Sequence, residues 1–186
     1  LSEQVVADAL ASAFDSAGQR CSALRILCVQ NDVAPEMLAM LEGAIRELVI
    51  GDPRRLAVDV GPVIDAEAHK ALAAHVGRMR AAGLRVIDAA LSPECARGTF
   101  LAPTLVDLGE IGGLAHLTNE VFGPVLHVLR WKRGELAALV DAINATGYGL
   151  THGIHTRIDE TVAAILSRIK AGNVYVNRNI VGAVVA

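Results

Sequence analysis

Short runs rich in Val, Ile and Leu alternate along this chain with helical patterns of ten or more residues. That alternation constrains the fold more than any other feature, because it implies βαβ units around a largely parallel sheet with helices on both faces. The first helical face carries Val5, Val6, Ala9, Leu10, Ala13 and Phe14, with Ser2 placed as its N-cap and Gly18 ending the pattern. A strand-type run from Ala23 to Val29 follows. A helix begins near Pro35, and a third has Asp65 as its cap and Gly83 just past its end. Strands are expected at Leu84 to Ile87, Phe100 to Val106, Val125 to Trp131, Thr151 to His155 and Val174 to Val176. Two more helices are expected through Leu136 to Ile143 and Val162 to Ile169.

Composition supports an α/β chain and narrows its class. Hydrophobic residues make up 53% of the 186, charged residues 20% and aromatics only 3%, which suits helices on a Val/Ile sheet and excludes disorder. The formal net charge of −3 offers no basic footprint for nucleic acid. Apolar stretches break well short of the ~20 residues a spanning helix needs. Glu3, Asp8 and Asp15 interrupt the first apolar run, so no signal peptide is read there. Three cysteines without a CxxC point to a reducing, cytoplasmic setting. The apolar tail from Ile180 to Ala186 lacks a polar terminus. It suggests a domain cut at both ends, whose apolar surface other protein normally covers.

The sharpest chemical feature is Gly18-Gln19-Arg20-Cys21-Ser22, at a joint between a helix and a buried strand. An accessible thiol beside a basic residue can act as a nucleophile, although most cysteines are small core hydrophobes. Cys28 reads as core and Cys95, in the loop after Ser92-Pro93-Glu94, as an incidental surface thiol. Gly147-Tyr148-Gly149-Leu150-Thr151-His152-Gly153 imitates a dinucleotide fingerprint, but its third Gly is one place late and a strand follows it. His152 with His155, and His69 with His75, have poor ligand spacing, so no metal site is expected.

Gly18-Gln19-Arg20-Cys21 resembles the cysteine motif of the aldehyde dehydrogenase superfamily, and Glu120-Val121-Phe122-Gly123-Pro124-Val125 resembles its second signature. Asn144-Ala145-Thr146-Gly147-Tyr148-Gly149-Leu150 and Gly172-Asn173-Val174-Tyr175-Val176-Asn177-Arg178 follow in the family's order. The finer resemblance is to the Δ1-pyrroline-5-carboxylate dehydrogenase module of bifunctional proline-utilisation enzymes. It rests on the segments Ser16 to Arg25, His155 to Thr161 and Val176 to Asn179. It covers essentially the whole chain.

The resemblance implies an NAD-dependent oxidation of glutamate semialdehyde to glutamate. Cys21 would be the nucleophile, forming a thiohemiacetal and then a thioester, and its backbone N–H would face the oxyanion. Ser22 would contact the substrate carboxylate, Glu120 the hydroxyls of the nicotinamide ribose, and Phe122 would pack near the nicotinamide. The family's nucleotide-binding domain, general-base glutamate and side-chain oxyanion donor would lie before Leu1, and its glycine-rich anchor for the aldehyde's tail after Ala186. The parent would be a homo-oligomer, with any FAD confined to a proline dehydrogenase domain outside this chain. A dehydrogenase for another aldehyde, or a non-catalytic dehydrogenase-like module, are the alternatives; an intact Cys21 context argues against the second.

Overall fold

In the computed structural model, which describes residues 2–182, those residues form five helices and six strands. They are α1 (Ser2–Phe14), β1 (Ile26–Gln30), α2 (Ala34–Arg46), α3 (Ala66–Ala81), β2 (Arg85–Asp88), β3 (Thr104–Glu110), β4 (Val125–Trp131), α4 (Leu136–Ala145), β5 (Thr151–Ile154), α5 (Asp159–Leu166) and β6 (Asn173–Val176). Short 3₁₀ segments occupy Pro93–Arg97 and Ile111–His116, and Asp15–Gly18 forms an irregular turn after α1. Leu1 and residues 183–186 of the expected apolar tail lie outside the described residues.

Four strands form the main sheet in the order β1-β4-β3-β2. Strands β1 and β3 run parallel to β4 on either side, and β2 closes the edge antiparallel to β3. Val125 through Leu129 are buried without interruption, as expected of a central strand covered on both faces. The register shows which helix covers which face. Val86, Val106 and His127 are paired across β2, β3 and β4 and share one face, with Asp88 two residues on from Val86. That face meets α3, through His75 on His127 and an Arg80–Asp88 ion pair. Arg85 points to the opposite face and pairs with Glu42 of α2, against which α1 packs.

Local chemistry accounts for several boundaries. The Asp65 carboxylate accepts from the Ala68 N–H at 2.8 Å and starts α3, and Gly83 takes φ +76° just beyond its end. Pro35 sits in the first turn of α2, where its missing N–H costs nothing.

Three expectations need correction. Ser2 is the first residue of α1 and does not cap it. Strand β3 begins at Thr104, four residues later than Phe100, because Pro103 has no N–H to give a ladder. The parallel strands also form two sheets, since β5 pairs with β6 alone over a small cluster of Val140, Ile154 and Ile165.

One polar side chain interrupts the main core. His127 is 1% exposed, and its Nδ1 lies 2.9 Å from the Arg25 carbonyl, which only a donor can meet. The neutral ring therefore has a bare Nε2, and the His75 Nε2–H, 2.9 Å away, donates to it. Burial foremost, then the charges of His75 and Arg25, push the His127 pKa down to about 4, against the Arg25 backbone bond. Burial and Arg78 lower that of His75 as well. Unfolding frees these imidazoles to bind protons near pH 6.5, where the native rings do not. Stability is then whole above that pH and lost as pH falls toward about 4, by up to ~1.4 kcal/mol per pH unit for each proton taken up. Urea unfolding of the chain should give a lower midpoint at pH 5 than at pH 7, and His127→Gln should flatten that dependence.

Candidate active site

Between α1 and β1 the backbone makes a left-handed turn. Ser16, Ala17 and Gly18 take φ of 56°, 55° and 64°, a region that L-residues other than glycine enter at a cost. Glycine is required at position 18 for a second reason. A β-carbon there would lie 2.3 Å from the Gly123 carbonyl oxygen and 2.7 Å from that of Ala13. The backbones of the two loops that carry Cys21 and Glu120 thus touch at Gly18 and Gly123.

The residues after the turn are tied down on both sides. Gln19 Oε1 accepts from the Ile64 N–H at 2.9 Å, and Arg20 Nε donates to Ser16 Oγ at 2.8 Å. The Ala23 N–H donates to the Arg20 carbonyl at 3.1 Å, closing a turn that leaves Cys21 exposed at its tip. Ser22 is buried, and its hydroxyl donates to the Val181 carbonyl at 2.8 Å.

Arg25 joins this loop to the second one. Its Nη1 donates to the carbonyls of Gly18 at 2.6 Å and Gly123 at 3.1 Å, and its Nη2 donates to that of Arg20 at 3.1 Å. The guanidinium carbon lies 4.8 Å from the Phe122 ring centroid. Burial lowers the Arg25 pKa, and the negative charge of Glu120 partly offsets it.

A cleft of about 540 Å³ opens between α3 and the second loop, lined among others by Gln19, Leu72, His75, Arg78, Glu120 and Phe122. Glu120 and Phe122 are exposed on its rim, whereas Cys21 and Ser22 are outside its lining. One wall is the alanine-rich face of α3 (Ala68, Ala71, Ala74). The Glu120 carboxylate and the half-exposed Phe122 ring line the same cleft.

The three thiols occupy different environments. Burial pushes the Cys28 thiol in β1 up to about 12, although other parts of the residue stay partly accessible. The expectation for Cys95 was wrong. Its 3₁₀ turn folds the side chain inward, leaving it 4% exposed with Sγ 3.6 Å from the Ile50 carbonyl and 3.5 Å from Ser92 Oγ.

The remaining motifs serve as braces. Asn144 Nδ2 donates to the Arg168 carbonyl and its Oδ1 accepts from the Lys170 N–H, both at 2.9 Å. A β-carbon on Gly149 would lie 2.3 Å from the Lys170 carbonyl oxygen, so the Gly-Tyr-Gly run is a packed turn leading into β5. Asn177, at φ 54°, binds both the N–H and the carbonyl of Thr156. His155 meets Asp8 at 3.7 Å, and no group of three or more His, Cys, Asp or Glu among the described residues is placed to hold a metal ion. Sequence reasoning gave no role to Arg25, His75 or His127. A lone arginine directly before an apolar strand was the one available signal.

Residues 2–186 match the model of the aldehyde dehydrogenase family. The bifunctional protein PutA of Salmonella typhimurium is 56% identical over all of this chain, which spans 14% of that protein. A crystal structure of a Bradyrhizobium japonicum Proline Utilization A mutant superposes with a TM-score of 0.90 at 53% identity, over 99% of this chain and 18% of that one. A 1-pyrroline-5-carboxylate dehydrogenase of Halalkalibacterium halodurans is 31% identical over 95% of this chain and 33% of its own length. The contact of Gly18 with Gly123 joins two signatures of one lineage, and the chain belongs to the aldehyde dehydrogenase family, where it matches the Δ1-pyrroline-5-carboxylate dehydrogenase module of PutA.

Proposed function

We propose that this chain supplies the nucleophile and one wall of an NAD-dependent site that oxidises glutamate semialdehyde to glutamate in proline catabolism. The observation that carries the reading is the junction just described: the loop of an exposed cysteine is bound to the loop bearing Glu120 and Phe122. Identity of 56% to a bifunctional PutA over the full chain supports the substrate class.

The Cys21 thiolate adds to the aldehyde carbon, forming a C–S bond while the carbonyl pair moves onto oxygen. The Cys21 N–H donates to that oxyanion, which is where a preorganised donor is worth most. A bound NAD would supply the hydride acceptor for the thiohemiacetal carbon. Glu120 would accept from its ribose hydroxyls and Phe122 would pack on its ring. Cys21 then holds the acyl group as a thioester until water displaces it and frees the sulfur. Ser22 contributes to substrate binding through its backbone amide, and through its hydroxyl once the bond to the Val181 carbonyl is given up. In this reading other parts of a longer protein would supply the dinucleotide's main binding surface; this chain spans 14% of the Salmonella relative.

The thiols test the assignment of the nucleophile. A shift from 9.0 to about 12 leaves the Cys28 thiolate about a thousandfold scarcer near neutral pH than in an ordinary thiol. Iodoacetamide followed by peptide mapping should label Cys21 first, and labelling of Cys28 or Cys95 ahead of it would refute the assignment. Turnover tests the division of labour, because holding reactants in register supplies ~7–11 kcal/mol of a barrier. The chain mixed with NAD and glutamate semialdehyde should yield no more than one NADH per Cys21. Sustained NADH production would show that the rest of the site is already present.

A further inference from the structure

We infer that Arg25 is a positioning residue for the oxyanion donor: by binding the Arg20 carbonyl it fixes the direction of the Cys21 N–H. The inference rests on the reading of Cys21 as nucleophile and adds a residue to that site. It follows from the geometry of one peptide unit. The carbonyl of Arg20 and the N–H of Cys21 belong to the same planar trans peptide, so they point in opposite directions. Arg25 Nη2 and the Ala23 N–H both donate to that carbonyl, at 3.1 Å each. With the oxygen held from two sides the peptide plane is fixed, and the Cys21 N–H faces away from the guanidinium. A cationic donor on the carbonyl also polarises the peptide, which strengthens the N–H at its other end.

The other bonds of Arg25 show why an arginine is needed. A planar fork with several donors can reach the carbonyls of Gly18, Gly123 and Arg20 together while lying over the Phe122 ring. A lysine has the charge but not the fork. The backbone of Arg25 is itself anchored from the sheet: its carbonyl accepts from the His127 backbone N–H at 2.9 Å and from the His127 ring Nδ1 at 2.9 Å. The donor at Cys21 is thus referred through one side chain to central strand β4.

Two reagents separate orientation of the N–H from reactivity of the sulfur. Acylation of Cys21 by p-nitrophenyl acetate passes through a tetrahedral oxyanion. The C–S bond forms, the ester C–O bond breaks, p-nitrophenolate leaves and the thiol proton goes to solvent. Alkylation by iodoacetamide displaces iodide directly and builds no oxyanion. In Arg25→Lys and Arg25→Ala, acylation should slow by about tenfold or more while alkylation of Cys21 stays within about twofold. Guanidinium at low millimolar concentration should restore part of the acylation rate in Arg25→Ala. Equal slowing of both reactions, as a purely structural role would produce, overturns the proposal, and so does no slowing of either. Wild-type acylation that survives Cys21→Ser would instead take down the nucleophile assignment, and this inference with it. Circular dichroism on each variant guards the comparison. If Arg25→Ala fails to fold, Arg25→Lys alone decides, since it keeps the cation and lacks the fork.

Discussion

Strand β4 has no face open to solvent from Val125 to Leu129, and most of the molecule follows from that. Two parallel neighbours satisfy its backbone on both edges, His75 of α3 meets one face, and α1 packs against the strand as well. A strand so placed tolerates a polar side chain only if each of its polar atoms finds a partner. His127 meets this demand with one bond upward to His75 on α3 and one sideways to the Arg25 carbonyl. The second bond fixes the residue whose guanidinium gathers the two signature loops. Core packing and the candidate site are therefore linked through a single histidine rather than merely adjacent.

The three cysteines show how one functional group acquires different chemistry from its surroundings. Cys28 lies on a strand inside the sheet, where a charged sulfur would be desolvated and the thiol form is strongly favoured. Cys95 is turned into the core by a 3₁₀ turn, against a backbone carbonyl. Cys21 alone is exposed among them, at the tip of a turn whose flanks are hydrogen-bonded. Sequence neighbours hinted at this for Cys21, through Gly18 and Arg20, and for Cys28, through its apolar run. They misled for Cys95, because a Ser-Pro-Glu segment that reads as surface loop places its fourth residue inward.

Elements governed by local rules were legible. The Asp65 cap and the Gly83 terminator bracket α3, and β4 spans the Val125 to Trp131 segment expected of it. Elements governed by distant partners were not. The split of β5 and β6 from the main sheet depends on which edges meet, which periodicity does not encode. His75 and His127 are 52 positions apart, and each alone is an ordinary core histidine. The motif resemblance found the loops of the candidate site but not the side chain that binds them together. Arg25 gains its role only when Gly123, 98 positions away, is folded against Gly18. Asn144 and Asn177 show the converse, since residues within signature segments hold loops in place by backbone bonds.

The left-handed turn before Cys21 raises the question of what holds it. Ser16 and Ala17 each carry a β-carbon into that region, at ~1–2 kcal/mol apiece, or roughly 2–4 kcal/mol together. Hydrogen bonds from a charged donor contribute ~1.5–3 kcal/mol each, and Arg25 places two on the carbonyls of Gly18 and Arg20. Arg20 adds a third, from its Nε to Ser16 Oγ, although that pair is exposed and worth less. The Arg25 bond to the Arg20 carbonyl is likewise exposed, so the part-buried bond to Gly18 contributes most, and the burial of Ala17 at 3% exposure adds to it. The turn is thus held by a cation on its concave side, not by the intrinsic preference of its residues. Gly18 supplies what the cation cannot, a residue small enough for the Gly123 carbonyl to approach. Strain, clamp and close approach are three aspects of one requirement, that the loop bearing the thiol and the loop bearing Glu120 and Phe122 share a single fixed frame.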